Sequence, residues 1–233
     1  MSRYYRSFLE ESVIIPSYPA SLKLFIDAGN PLSYSGSGTT VTDLIGTQNG
    51  TLINGVGYSS SNGGYFTFDG INDYITFGIN TAIRPLSART VSVWVYLDIT
   101  SVVGYFYSDG NDLAGTNGVA LWYDTAGYRS VLENASSYQV GVNLNINSKG
   151  VWYYISTSFN GSTFKTYVNG TLRNTYTQTI IPTNSVYPTI IGGGNAISSY
   201  LKGNVSQCKI YNVQRSDAEV LTDFNEFKAR YGY

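Results

Sequence analysis

The chain has 233 residues, a length that a single β-sandwich accommodates around one extended core. Charged residues make up 12%, and 14 basic against 15 acidic side chains leave a net charge of -1, which excludes the basic footprint of a nucleic-acid binder or an anionic-membrane ligand. With 22 Tyr, 10 Phe and 25 Gly the composition favours pleated sheet and tight turns, and the single Cys208 excludes an internal disulfide.

Residues 1–20 lack strand alternation and are read as an N-terminal arm. The start Met1 to Arg6 leads into no signal-peptide core, and the run Val13-Ile14-Ile15 is far too short to span a bilayer. Arg3, Tyr4, Tyr5 and Arg6 are the candidate anchors of this arm on a partner, because Arg and Tyr dominate interface energetics. The alternative is that the arm folds back over an edge of its own sheet. Residues 21–233 read as one domain.

From Leu22 the text alternates, first in Leu22 to Asp27, then in Tyr65 to Phe68 and Tyr74 to Phe77, which predicts half-buried strands. Arg89 to Leu97 places Val91, Val93, Val95 and Leu97 on one face and Trp94 and Tyr96 on the other. Both faces are apolar or aromatic, so this strand is expected at the centre of a sheet covered on both sides. Further strands are read in Gly118 to Tyr123, Arg129 to Leu132, Val151 to Ile155 and Asn204 to Tyr211. Asn160-Gly161 and Asn169-Gly170 sit between alternating segments and predict two hairpins with type I′ turns. The C-terminus changes period: Ser216 to Glu219 is a capping box, and Val220, Leu221, Phe224 and Phe227 recur at helical spacing toward Tyr231. The fold class is therefore all-β, a two-sheet antiparallel sandwich with an N-terminal arm and one C-terminal helix.

Several stretches, in their order and spacing, carry a family resemblance. They are Leu24 to Pro31, Thr42 to Gly46 leading to Asn49 to Leu52, Phe68 to Ile75, Thr90 to Val95, Tyr167 to Gly170, and Ile210 to Glu219 with Phe224-Asn225 and Arg230 to Gly232. Over roughly residues 22–232 the chain resembles the laminin-G-like jelly rolls of the concanavalin A-like superfamily, especially versions from tailed bacteriophages. That resemblance implies glycan or protein binding, and in phages a place on the virion surface as capsid decoration or as a tail-fibre-associated part. It also implies homo-oligomers, contact with other virion proteins, and synthesis in the host cytoplasm. Members with hydrolase or lyase activity share the fold, so a polysaccharide-degrading enzyme is the alternative.

The residues themselves argue against catalysis. There is no histidine, which removes Ser-His-Asp and Cys-His nucleophile activation and the usual zinc ligand. The paired carboxylates of a glycoside hydrolase, written Glu-x-Asp-x-x-Glu on one strand in enzymes of this fold, are missing; Asp98, Asp124 and Glu133 are the remaining candidates. Cys208 falls inside a strand and reads as an inert core thiol. Calcium is the one cofactor worth carrying, with oxygen ligands from Asp109, Asn111, Asp112 and Asn117 on one loop. Asp69 and Asp73, which flank the turn Gly70 to Asn72, form a second calcium candidate, and for both clusters the alternative is that these residues simply form turns. For carbohydrate, Trp122 is the expected stacking platform, with Asp124 and Asn195 as hydroxyl partners; Trp94 and Trp152 are assigned to packing.

Overall fold

The computed structural model describes residues 18–46, 48–110, 118–134, 137–177, 181–182, 185–194 and 199–233, with backbone alone at 133–134 and 137–142. Arg3, Tyr4, Tyr5 and Arg6 lie outside the described residues, as do Asn111, Asp112, Asn117 and Asn195.

Two antiparallel sheets are stacked face to face. Sheet A holds β1 (Leu22–Asp27), β4 (Gly57–Ser59), β5 (Tyr65–Asp69), β7 (Arg89–Leu97), β12 (Trp152–Phe159), β13 (Thr163–Val168), β14 (Thr171–Thr177) and β16 (Lys202–Tyr211). Its order is β14-β13-β12-β7-β16-β5-β4, with β1 also paired to β16. Sheet B holds β2 (Thr40–Val41), β3 (Gly50–Ile53), β6 (Tyr74–Thr76), β8 (Gly104–Ser108), β9 (Gly118–Asp124), β10 (Gly127–Asn134), β11 (Ser137–Asn143) and β15 (Ile190–Ile191). Its order is β11-β10-β9-β8-β15-β6-β3-β2. Among the described residues, no helix is long and apolar enough to cross a membrane.

Strand β7 shows how the sequence builds the sandwich. It lies between β12 and β16, in register Val93↔Ile155 and Val93↔Cys208. Val91, Val93, Val95 and Leu97 enter the core between the sheets, where they join Phe66, Phe106, Leu121 and Ile191. The period of two sends Trp94 to the opposite face. Cys208 is fully buried in the same core, and desolvation pushes its thiol far above the ordinary range, as befits an inert packing group.

The outer face of sheet A is sealed by the C-terminal helix α1 (Asp217–Phe227). Its capping box forms as expected: Ser216 Oγ accepts from Glu219 N at 3.3 Å, and Glu219 Oε2 accepts from Ser216 N at 2.8 Å. Val220 and Phe224 pack onto Trp94, Trp152, Tyr154 and Tyr167. Leu221, expected on the same stripe, points outward and is 44% exposed. The α-helix stops at Phe227; a 3₁₀ turn over Lys228–Tyr231 follows and lays Tyr231 on Trp94, with ring centroids 3.9 Å apart.

The two hairpins differ. Val168 pairs with Thr171, leaving Asn169-Gly170 as a two-residue loop with φ of 50° and 74°, the expected type I′ turn. Asn160-Gly161 is not of that type: Phe159 pairs with Phe164 around a longer loop, and of the two only Gly161 has positive φ. The cause is the Asn160 side chain, whose oxygen accepts from Ser162 N at 3.0 Å and Thr163 N at 2.9 Å and so builds an Asx turn.

The two glycines consequently differ in sensitivity. A Cβ on Gly161 meets nothing closer than 3.8 Å, so Gly161→Ala costs about 1 kcal/mol through its φ alone. A Cβ on Gly170 lies 3.0 Å from Leu221 Cδ1 and Phe224 Cβ, so Gly170→Ala adds a collision with α1 and costs about 2 kcal/mol or more. Urea unfolding of both variants checks the order; equal losses refute it.

Candidate functional site

A sandwich has two outer faces, and α1 occupies one of them. On sheet B the register identifies what the other presents. Ile191 and Ile75 pair and lie in the core, so their neighbours Ile190 and Thr76, which also pair, must point outward. Tyr74, two residues from Thr76, shares that face. Tyr187, Pro188, Gly193, Gly194 and Tyr200 complete a depression of about 270 Å³ around these side chains.

Three half-buried tyrosines dominate it. The rings of Tyr74 and Tyr200 are near-parallel, 27° apart, with centroids separated by 6.3 Å. The glycine run shapes the wall between them. A Cβ on Gly193 would come within 3.1 Å of the Tyr200 ring, and one on Gly192 within 2.3 Å of the Phe68 ring, with Gly192 φ at +85°. The segment carrying Tyr187 is fastened from below by the buried Arg84, whose Nη1 donates to the Tyr187 carbonyl at 2.7 Å and to the Asp109 carbonyl at 2.9 Å. Flat apolar ring faces with hydroxyls at their tips suit a ligand with an apolar face and a polar rim. Among the described residues, the lining contains no carboxyl group.

Of the residues singled out from sequence, those that are described fall elsewhere. Trp122 does point to the outer face of sheet B, paired in register with Tyr105 on one side and Arg129 on the other. It is not an open platform, however: it is 8% exposed, lies parallel to the Tyr105 ring at 5.7 Å, and packs with Ala120 and Val131. Its Nε1 donates to Asp124 Oδ2 at 3.3 Å. The Asp124 carboxylate also pairs with Arg129 at 2.9 Å and accepts from Ala126 N at 2.8 Å, so it closes the β9–β10 turn.

Asp109, the first of the expected calcium ligands, faces inward. Its carboxylate forms an ion pair with Arg89, accepts from Tyr107 Oη at 2.7 Å, and accepts from Val119 N at 2.7 Å. Each oxygen is engaged by the protein's own donors, which is why this acid sits in the interior instead of on a loop surface. Asp69 and Asp73 form a turn, as their alternative reading has it: Asp69 Oδ1 accepts from Ile71 N at 2.7 Å, and Asp73 Oδ2 from Asp69 N at 3.2 Å. Burial raises the Asp73 carboxyl above its ordinary value. Among the described residues no group of three or more acidic or thiol side chains is arranged to hold a metal ion. Asp98 accepts from the backbone and hydroxyl of Thr100, and these bonds hold its carboxyl below the ordinary range.

Sequence reasoning missed Tyr74, Tyr187 and Tyr200. Tyr74 carried a signal, since it alternates with Ile75 and Thr76 on what the pattern marks as an outer face. Tyr187 and Tyr200 stand in loop text with no periodicity to expose them.

A two-sheet jelly roll with one face sealed by a terminal helix and the other carrying an aromatic depression is a lectin-like or glucanase-like fold. The chain belongs to the family Laminin_G_3, the Concanavalin A-like lectin/glucanases superfamily, whose profile matches residues 68–221. Solved structures share the fold. Domain 4 of AbnA, an extracellular GH43 arabinanase of Geobacillus stearothermophilus in complex with arabinotriose, aligns with a TM-score of 0.70 at 17% identity, covering 88% of this chain and 98% of that domain. Trypanosoma rangeli sialidase aligns at 0.67 and 16% identity over 94% of this chain, which spans only 34% of the sialidase structure. The receptor-binding domain of a botulinum neurotoxin C/D mosaic aligns at 0.68 and 14% identity, covering 88% of this chain and 51% of that one. No curated protein matches the sequence.

Proposed function

We propose that this domain is a non-catalytic carbohydrate-binding module that takes its ligand on the outer face of sheet B, in the depression formed by Tyr74, Tyr187 and Tyr200. The observation that carries the reading is that depression: three tyrosines around an apolar floor, no carboxyl group among the described residues of the lining, on the face that α1 leaves uncovered. Glycosidic hydrolysis needs two carboxyl groups flanking the bond. The arabinanase domain solved with arabinotriose supports the ligand class, being a similar fold with a bound oligosaccharide. The virion surface is the setting we propose, with the domain displayed in several copies as decoration or on a tail fibre; the resemblance to phage jelly rolls supports it.

A glycan array followed by calorimetry tests the reading. Tyr74→Ala and Tyr200→Ala should each weaken binding roughly tenfold, about 1–1.5 kcal/mol of lost ring contact, while leaving the melting temperature near that of the parent. Release of reducing ends from mixed polysaccharides would show an enzyme, and binding unaffected by either substitution would move the site elsewhere. Electron microscopy of purified particles with an antibody to the domain tests the virion setting.

A further inference from the structure

Beside the tyrosine depression lies a second, of about 140 Å³, and Tyr200 lines both. The second is walled by Thr100, Ser101, Val102 and Val103 on the loop after β7, and by Lys202 at the start of β16. We infer that the two form one groove for a neutral oligosaccharide, with one sugar unit in each depression and Tyr200 as the shared wall between them. This rests on the carbohydrate-binding reading and specifies the ligand.

Size is the first argument. A single depression of about 270 Å³ falls short of the ~300–1,000 Å³ usual for small-molecule sites, whereas the two together reach it. The second argument is the chemistry of the loop. Val102 is 66% exposed, and Val103 stands beside it, so two aliphatic side chains face water at the lip where the C–H face of a sugar ring would rest. The exposed Thr100 hydroxyl and Lys202 ammonium supply polar partners.

The third argument is charge. Lys202 donates to Thr100 Oγ1 at 2.7 Å, Thr100 in turn donates to Asp98 Oδ1 at 2.5 Å, and Asp69 is the cross-strand partner of Lys202. Its ammonium is thus linked through Thr100 to the opposite charge of Asp98, and the two together favour neither sign of ligand charge. Among the described residues, the first depression contributes no side chain charged at neutral pH. A neutral chain is what both halves accept.

NMR titration with neutral gluco-, manno- and arabino-oligosaccharides of one to four units tests the inference. Affinity for the preferred series should rise at least tenfold from one unit to two or three and then level off. Val102→Glu should reduce the longer ligands to the affinity of the single sugar and leave the single sugar unchanged, whereas Tyr74→Ala should weaken both. Affinity independent of length, equal loss of the single sugar in Val102→Glu, or a tenfold preference for uronic or sialylated oligomers overturns the inference alone. Absence of binding to every carbohydrate overturns it together with the reading beneath it.

Discussion

Replacing Asp109 by alanine lowers the unfolding free energy by about 3–5 kcal/mol, because it strands a buried cation. Asp109 and Arg89 are each 1% exposed, so the guanidinium left behind has neither a counter-charge nor water. The damage extends beyond the pair. Tyr107 Oη loses the oxygen it donates to, as does Val119 N, and both are buried donors whose desolvation then goes uncompensated. Arg89→Met combined with Asp109→Leu removes the stranded charge along with its partner and should recover at least half of the loss. Urea unfolding measures all three proteins, and a loss under 1 kcal/mol in Asp109→Ala would show the pair to be dispensable. The same experiment with chelator present separates the ion pair from a calcium ion at this acid, since the pair predicts no response of the parent to chelation.

Trp94→Ala should cost about 3–5 kcal/mol and release the C-terminal helix. The indole is 1% exposed and is the floor on which α1 rests, with Phe224 parallel at 5.5 Å and Tyr231 parallel at 3.9 Å. Truncation empties the centre of that contact while leaving the core between the sheets intact. Amide exchange should therefore accelerate first across Asp217–Tyr231 and only later in the strands of sheet A. Trp94→Phe keeps an aromatic floor, and it removes a buried indole N–H that has no hydrogen-bond partner among the described residues. It should cost much less than alanine. Exchange that accelerates uniformly across both sheets would refute this division of the molecule.

What was legible in the sequence was what repeats locally. The alternation of Arg89 to Leu97 marks both faces of β7 because β-branched and aromatic residues take turns without a break, and the strand has those bounds in the structure. Ser216 and Glu219 announce the helix because reciprocal capping is encoded within four residues. Partners far apart in sequence are what escaped. Asp109 reads as a loop acid until Arg89, which precedes it by 20 residues, is brought under it. Trp122 reads as a surface platform until β8 places Tyr105 against it. Tyr74 and Tyr200 meet only because β15, two residues long, lies between β6 and β8 and orders the loops that follow; so short a strand leaves no periodic trace.

The place of β16 in sheet A has a consequence for how the chain folds. It is the last of the described strands in chain order, yet it runs through the middle of the sheet: β7 pairs along one edge, while β5 and β1 share the other. Until Lys202–Tyr211 are available, β7 and β5 have no common neighbour and β1 no partner strand among the described residues. Closure of the sheet therefore waits on contacts between the two ends of the domain, a high contact order that makes folding slow. During that interval the unpaired edges of β1, β5 and β7 are exposed to other chains, so the yield of folded protein should depend on concentration and on how fast translation reaches β16.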